Sequence, residues 1–214
     1  MIKRTALACL VAMSALSPTP LSAHPHVWAD VKVRVLFDDK GQVRALHQYW
    51  LFDDYYSAFV LSGADMNGDG KPDQAALDEV LAENMKNLKE YDYFSRTWSG
   101  DVRVQTGAPG ELATGVKGNR LEMSFVLPLA EPVAANDLPF RYAIFDPTYY
   151  IEMVHAESED AVTLDAAPKT CKSKIRQPNP NPEQVALAAS LDRTQTAGDT
   201  LGMFFAETVY VTCG

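Results

Sequence analysis

The strongest constraint on the fold is the alternation of apolar and polar side chains over residues 27–37, VWADVKVRVLF. Successive side chains of a β-strand point to opposite faces, so a period of two predicts a half-buried strand. One face of this strand must therefore pack on a core, and the other face must contact solvent. The predicted inner face carries Val27, Ala29, Val31, Val33, Val35 and Phe37, and the outer face carries His26, Trp28, Asp30, Lys32 and Arg34.

The residues after this strand predict a hairpin followed by a helical segment. Asp38-Asp39-Lys40-Gly41 has turn chemistry, and residues 42–53 continue as the partner strand. A short helix is expected over residues 54–62, and residues 65–73 form an acidic, glycine-rich loop. Residues 74–90 predict a second helix, because their apolar side chains recur at helical spacing: Leu77, Val80, Leu81 and Leu88, with Met85 near the same face.

Short strands dominate the rest of the chain. The region 168–182 is expected to be a proline-rich loop, and 183–191 a short helix. The pattern predicts a mainly β protein: an antiparallel β-sandwich, favoured over a barrel, with a helical insertion at about 54–95, within a single domain over 24–214. The expected strands cover residues 101–106, 111–117, 120–127, 139–145, 149–155, 161–165 and 208–213.

The amino terminus has the order of a secretory signal. Lys3 and Arg4 precede an apolar run over residues 5–16, and small residues lead to Ala23. The run is shorter than the ~20 residues of a membrane span, and Cys9 lies too near the start for a lipoprotein signal. We expect residues 1–23 to be removed after Ala23, and the mature protein to reside in the periplasm.

The charge balance restricts the partners of the mature chain. Removal of Lys3 and Arg4 would take the formal net charge from −9 to −11. Such a surface repels phosphate backbones, so nucleic acid is not an expected partner. No later stretch of sequence is long and apolar enough to span a membrane.

Two cysteines remain after the signal, Cys171 and Cys213. In an oxidising compartment such a pair predicts a disulfide bond. The bond would close a loop of about 42 residues and contribute about 4 kcal/mol by restricting the unfolded chain. A soft-metal site is the alternative, but the two thiols lack the close spacing of a metal knuckle.

Cleavage after Ala23 would give a mature chain that begins His24-Pro25-His26. An amino-terminal histidine offers a metal its free amine and its ring nitrogen, and His26 adds another imidazole. These donors suit zinc, copper, nickel and cobalt. Pro25 has no amide proton, which excludes a square-planar site that uses the second backbone nitrogen. Two histidines near a flexible terminus can also be incidental.

The predicted hairpin supplies further candidate ligands. A turn centred at Asp39-Lys40 places Asp53 opposite His26, and a shift of one residue places Asp54 there. The face of His47 depends on the same register, and Asp30 shares the face of His26. The alternative is that His47, like His155, is an ordinary packed or surface histidine.

Residues 65–73, with the sequence DMNGDGKPD, match the first half of a calcium-binding loop. Oxygen donors fall at positions one, three, five, seven and nine, and a glycine occupies position six. Position twelve, normally a bidentate Glu, is Ala76. We expect weak, structural calcium binding in about the millimolar class; the alternative is a solvated turn before a helix. The ligands would be Asp65, Asn67, Asp69, the carbonyl of Lys71, and Asp73.

Several motifs occur in an order that resembles a known family. They are the HPHVW segment at 24–28, YWLFDD at 49–54, the acidic loop, FDPTYYI at 145–151, and the closing segment from 205 to 213. Together they resemble the ZevA-like family of periplasmic proteins of unknown function, also described as a transport-system periplasmic component. The resemblance implies an accessory of an inner-membrane transporter for zinc, or for nickel and cobalt. The family loop usually carries an acid where Ala76 stands.

Three functional hypotheses follow. The first is a metal-binding accessory of a membrane transporter for a divalent transition metal. The second is an interaction module stabilised by calcium and the disulfide, without a transition metal. The third is a copper enzyme with a histidine brace; it is disfavoured because no nucleophile–base pair is legible in the sequence, so we expect no enzymatic activity.

Overall fold

The structure is a computed structural model that describes residues 25–191 and 200–214. The predicted signal sequence, together with His24, lies outside the described residues. Eleven strands are present in the described ranges. They are β1 (Val27–Phe37), β2 (Val43–Phe52), β3 (Ser95–Ser99), β4 (Val102–Val104), β5 (Gly110–Lys117), β6 (Arg120–Val133), β7 (Phe140–Ile144), β8 (Ile151–His155), β9 (Val162–Asp165), β10 (Lys172–Arg176) and β11 (Thr208–Thr212).

The strands form two sheets. The first has the order β5-β6-β2-β1-β8, and β9 also pairs with β1. The second has the order β10-β11-β7-β3-β4. Most pairs are antiparallel, as predicted, but β1 pairs in parallel with both β8 and β9. The chain is therefore mainly β with two packed sheets, and the sandwich prediction is confirmed.

The core lies between the two sheets. The alternation in β1 has the predicted phase, since its odd-numbered residues from Val27 to Phe37 are all buried. Apolar side chains from both sheets belong to one cluster, which is the physical basis of the sandwich. Its largest fully buried members include Trp50, Phe125 and Leu127 from the first sheet and Phe140 and Tyr142 from the second.

Helices lie between β2 and β3, where the insertion was predicted. They are α1 (Asp54–Gly63), α2 (Gln74–Leu88) and a 3₁₀ segment, Lys89–Phe94. The α2 helix buries side chains spaced four residues apart, Leu77, Leu81 and Met85. Two further helices, α3 (Pro182–Ser190) and α4 (Leu201–Phe205), precede β11.

The backbone at the end of the insertion is left-handed over three consecutive residues. Asp92, Tyr93 and Phe94 have φ values of 52°, 54° and 55°. Each such residue costs about 1–2 kcal/mol, because its Cβ crowds the following carbonyl. The side chain of Asp92 forms ion pairs with Arg96 at 2.6 Å and Arg103 at 3.4 Å, which hold the turn from outside.

One prediction about loops is wrong, and one strand was not predicted. The region 168–182, expected to be a loop, contains the edge strand β10, and the unpredicted strand β3 follows directly on the insertion. The β10 strand is mostly exposed, so its side chains show no burial pattern, and its pairing with β11 defines it. The lysines at 172 and 174 are typical of an exposed edge, where they discourage pairing with another chain. Among the described residues, no helix has the length and apolar character that crossing a bilayer requires.

Candidate functional site

His26 lies at the start of β1, where Tyr150 fixes its position. Its backbone amide donates a 2.9 Å hydrogen bond to the carbonyl oxygen of Tyr150. The two rings are tilted by 49°, with centroids 4.9 Å apart. The imidazole therefore has a defined place at this corner of the first sheet.

Asp53 is not opposite His26, and neither is Asp54, so the register expected from the sequence is wrong. Ala29 stands opposite Phe52, which brings Asp53 opposite Trp28. The reason is that the turn is centred near Lys40 and a bulge between Leu36 and Phe37 adds a further shift.

The carboxylate of Asp53 accepts hydrogen bonds from three backbone amides. One oxygen accepts from the amide of Trp28 at 2.9 Å, and the other accepts from the amides of Tyr55 and Tyr56 at 2.8 and 3.0 Å. Asp53 thus joins β1 to the amino terminus of α1 as its cap. Asp54 is exposed and accepts a 3.1 Å hydrogen bond from the side-chain amide of Asn119.

His47 is on the outer face of the same sheet but far from His26. It stands opposite Arg34, eight residues along β1 from His26, which is about 26 Å at 3.3 Å per residue. Its Nδ1 atom lies 3.1 Å from the hydroxyl of Tyr49. Partial burial, followed by the charge of Arg34, lowers the pKa of His47. The structure does not bring His47 into one site with His26.

The other acidic side chains near His26 already have partners. Glu152 accepts from the indole nitrogen of Trp28 at 2.8 Å, and Asp30 forms a 2.8 Å ion pair with Arg120. Within residues 25–191 and 200–214, no group of three or more His, Cys, Asp or Glu side chains is arranged to hold a metal. A transition-metal site at this corner would therefore need His24.

The acidic loop curls around its own carboxylates. Asp65 accepts hydrogen bonds from the amides of Gly68, Asp69 and Gly70 at 2.8–3.2 Å. The side chains of Asn67 and Asp69 each accept from an amide two residues ahead at 2.9 Å. Gly70, at position six, has a φ of 83°, a conformation that suits glycine.

The far end of this loop is tied back to its beginning. The carboxylate of Asp73 accepts from the amide of Met66 at 2.9 Å and stands at the amino terminus of α2. Hard oxygens on a curled backbone fit calcium. Ala76 lies in the first turn of α2 and offers no side-chain oxygen. The donor set thus fits calcium only in part, and Lys71 could contribute only its carbonyl.

A second carboxylate-centred turn joins β7 to β8. One oxygen of Asp146 accepts from the amide and hydroxyl of Thr148, both at 2.8 Å. The other accepts from the amides of Tyr150 and Ile151 at 3.0 Å. Asp146 is only 4% exposed. This explains the DPTYY segment, which sequence reasoning could describe only as a turn: its acid organises the backbone that positions His26.

The α4 helix packs directly on this turn. A Cβ added at Gly202 would lie 1.8 Å from the carbonyl oxygen of Asp146. The rings of Tyr149 and Phe205 stack with centroids 4.2 Å apart. Burial, with a smaller contribution from Glu152, raises the pKa of Tyr149 to about 12. The close approach of α4 to the Asp146 turn therefore requires glycine at position 202.

A buried polar network links the two sheets and was missed from the sequence. Glu207 accepts from the backbone amide of His155, and its carboxylate lies 2.7 Å from His155 Nδ1. Gln177 donates to its other oxygen at 2.6 Å, and the hydroxyl of Tyr142 lies 3.3 Å from His155 Nε2. Extending the alternation of Val209 and Val211 backward would have placed Glu207 on the buried face.

The pKa values in this network follow from burial and hydrogen bonding. Burial alone would raise the pKa of Glu207, but the hydrogen bonds from His155 and Gln177 outweigh it, and the net pKa is lowered. Burial, helped by the charge of Glu207, raises the pKa of Tyr142 well above its usual range. The carboxylate is thus held ionised beside a neutral phenol.

The predicted disulfide is present. The sulfur atoms of Cys171 and Cys213 are at bonding distance, 42 residues apart in sequence. The bond joins the residue before β10 to the residue after β11, so the two strands at this edge of the second sheet are linked covalently as well as by pairing.

Fold and covalent structure define a disulfide-linked β-sandwich domain with a helical insertion and an acidic loop. Residues 9–213 match the family model described as "Protein of unknown function (DUF1007)", and the chain belongs to that family. The resemblance to the ZevA-like family of proteins of unknown function is confirmed at this level.

Two relatives are themselves uncharacterised. The chain is 29% identical over 194 residues to an "Uncharacterized protein" of Haemophilus influenzae, covering 89% of this chain and 91% of the relative. It is also 29% identical over 94 residues to an "Uncharacterized 15.5 kDa protein in trpE 3'region" of Spirochaeta aurantia, covering 44% and 66% of the two chains. No solved structure matches the chain.

Proposed function

We propose that the mature protein is a periplasmic accessory of an inner-membrane metal transporter, and that it binds a divalent transition metal, zinc or nickel and cobalt, through His24 and His26. The observation that carries this proposal is the pairing of a His-Pro-His terminus with a rigid anchor for His26. Tyr150 holds the backbone and packs on the ring of His26. The imidazole of His26 is therefore already in place as a metal ligand, which reduces the entropy lost when the metal binds.

The chemistry of the donors supports the choice of metals. An amine and two imidazoles are nitrogen donors of the kind that zinc, nickel, cobalt and copper accept. The overall charge of the protein also favours a cation, since the complete chain carries a formal net charge of −9. The remaining ligand positions would be filled by water or by a group of the transporter, which suits a protein that passes its metal on.

The test begins with the exact amino terminus of untagged protein purified from the periplasm, determined by intact mass. Calorimetric titration with zinc, nickel, cobalt and copper should then show one saturable site. We expect His24→Ala combined with His26→Ala to weaken binding by at least about tenfold, or about 1.4 kcal/mol. Unchanged affinity in this double variant would refute the proposal.

Two further variants test the role of the amine and the location of the site. One extra alanine before His24 keeps both rings but moves the amine away, so weaker binding would implicate the amine in the chelate. His47→Ala is the matched control, because His47 lies on the same face about 26 Å away. It should bind metal as the wild type does; a loss of affinity would contradict the assignment.

A second candidate is an interaction module that uses calcium but no transition metal. It is favoured by two aromatic side chains one turn apart on α1 beside the acidic loop, Tyr55 and Phe59, which are 91% and 78% exposed. Exposed aromatic residues of this kind are typical of binding surfaces. Elemental analysis of the untagged protein discriminates: calcium without zinc, nickel, cobalt or copper would favour the module.

A further inference from the structure

A cavity of about 180 Å³, partly open to solvent, lies between the inner face of the first sheet and the carboxyl-terminal turns of α2. It is separate from both candidate metal sites, and its lining includes no His, Cys, Asp or Glu. The rings of five aromatic residues form much of the wall: Trp50, Phe52, Tyr56, Tyr91 and Phe94.

The size and chemistry of this cavity restrict what it can hold. An engineered apolar cavity of about 150 Å³ binds benzene, so this one has room for a slightly larger molecule of one or two rings. None of the lining side chains is charged, and a buried charge without a partner is strongly disfavoured. A charged group is therefore strongly disfavoured in the apolar part of the cavity.

The geometry of the rings favours a flat occupant. The rings of Trp50 and Phe94 are within 14° of parallel, with centroids 6.0 Å apart. The ring of Phe52 meets that of Trp50 edge-on, at 6.4 Å and 78°. Aromatic molecules bind such walls through offset stacking and edge-to-face contacts, which a saturated ring cannot reproduce.

Polar groups lie in the same wall. Asn84 and Asn87, three residues apart on α2, line the cavity. A side-chain amide both donates and accepts hydrogen bonds. Since Asn87 is exposed, it marks the mouth, where a ligand could place one hydrogen-bonding group.

The backbone that forms one wall is strained. Asp92, Tyr93 and Phe94 are the three consecutive left-handed residues described above. They carry Phe94 into the cavity and leave Tyr91 at the surface, 37% exposed. Strained backbone that persists under external support clusters at ligand sites. Here the ion pairs of Asp92 supply that support, so the wall is formed before any ligand arrives.

We propose that this cavity is a binding site for a small, uncharged aromatic molecule that carries one hydrogen-bonding group. Nothing in this assignment depends on a metal, so it stands or falls separately from the function proposed above. The site lies where the helical insertion meets the sandwich, which gives the insertion a role beyond carrying the acidic loop.

Indole is the probe for the test. Titration of the mature protein should give saturable binding at one site by calorimetry, with a chemical-shift change at the methyl group of Met123, which lines the cavity. Indole-3-carboxylate and cyclohexanol should each bind at least about tenfold more weakly, because one is charged and the other is not flat. No saturable binding of indole up to its solubility, or equal binding of the carboxylate, would overturn the proposal.

Two variants locate the site. Leu88→Trp fills the cavity from its partly exposed rim and should weaken indole binding by at least about tenfold, the effect of removing the space. Val185→Trp on α3, at a position 48% exposed, is the matched control and should leave binding unchanged. Unchanged affinity in folded Leu88→Trp, or loss in the control, would refute this location.

Asn87→Ala provides a test that does not disturb the core, because Asn87 is exposed. It should weaken indole binding by about threefold to tenfold, the usual range for one hydrogen bond, and leave the binding of benzene unchanged. An equal effect on both ligands would show that Asn87 does not bind the polar group of the ligand, and would contradict that part of the proposal.

Discussion

The Asp146 turn and the acidic loop at residues 65–73 are built by the same local chemistry in opposite surroundings. In each, a carboxylate accepts hydrogen bonds from amides a few residues ahead. Asp146 is 4% exposed and covered by α4, whereas Asp65 is half-buried and its neighbours Asn67 and Asp69 are exposed. Because Asp146 is buried, its hydrogen bonds to the backbone are a fixed part of the fold. Because the acidic loop is in contact with water, its carboxylates can release backbone amides and bind a cation instead.

The difference lies in the cost of breaking the hydrogen bonds. Opening the Asp146 turn would remove four hydrogen bonds from a buried carboxylate, and a buried anion is costly to leave unpaired. In the exposed loop, water replaces any amide that a carboxylate releases. Acid content alone therefore does not identify an ion site; the exposure of the acid decides.

The largest effect is expected from paired Asp→Asn substitutions. Asp146→Asn should lower the free energy of unfolding by about 3 kcal/mol, because the amides of Tyr150 and Ile151 would face the NH₂ group of a buried side chain. Asp65→Asn, measured without calcium, should cost about 1 kcal/mol or less. Urea unfolding of both variants with the disulfide intact measures the two losses. Losses of equal size would show that burial does not distinguish the two turns.

Gly202→Ala tests the contact that buries the Asp146 turn. Its Cβ would lie 1.8 Å from the carbonyl oxygen of Asp146, so α4 must shift, at a cost of about 2–3 kcal/mol. Gly63→Ala at the end of α1 is the control, since a Cβ there meets nothing within 4 Å. Thermal unfolding should show a clear loss for the first variant and no loss for the second. A tolerated Gly202→Ala would show that α4 is not tightly seated.

Calcium should stabilise the protein through the acidic loop and not through the Asp146 turn. With a dissociation constant of about 1 mM, 10 mM calcium would stabilise the fold by about 1.4 kcal/mol. Asp65→Asn should remove this increment, and Asp146→Asn should retain it although its baseline is lower. Thermal unfolding with and without calcium measures both effects, with magnesium as the ion control. An increment that survives in Asp65→Asn would place calcium elsewhere.

Ala76→Glu extends the same experiment. A carboxylate at position twelve would supply the missing bidentate ligand and should tighten calcium binding by about tenfold or more. Calorimetry on the wild type and this variant provides the measurement. Equal affinities would show that the loop does not follow the expected register of a calcium site.

The smallest effect concerns Glu207, a buried carboxylate with a titratable partner. Its folded pKa lies below the ordinary value of 4.5, so its stabilisation is present above pH 4.5 and is lost as the pH falls through the folded pKa. Glu207→Gln should therefore show a shallower loss of stability over that window than the wild type. Unfolding curves between pH 3 and pH 6 (about the range of carboxyl titration) test this, and identical slopes would contradict it.

Periodic patterns made most of the fold predictable. The alternation in β1 and β11 and the helical spacing in α2 each reflect one buried face, so a local pattern was enough. The disulfide was also predictable from the expected oxidising compartment and from the number of cysteines remaining after the predicted signal. The parallel pairs of β1 with β8 and β9 did not, because pairing between distant strands leaves no mark within either strand.

The hairpin register shows why site prediction is harder than fold prediction. The exact centre of the turn and the bulge between Leu36 and Phe37 leave no mark in the alternation, yet together they move Asp53 from His26 to Trp28. A shift of this size leaves the fold unchanged and alters which side chains meet. The buried roles of Asp146 and Glu207 were hidden for a related reason, since an acid in a sequence does not reveal whether another element covers it.

The position of β1 in its sheet has a consequence for how the chain is made. Its first half pairs with β8 and its second half with β9, strands that begin at Ile151 and Val162. The contact between Trp28 and Glu152 spans 124 residues, and contacts of such long range form late. Strand β1 must therefore remain unpaired along one edge until most of the protein has been synthesised. A ribosome-bound fragment that ends before β8 would expose that edge, which makes early truncations of this chain prone to aggregate.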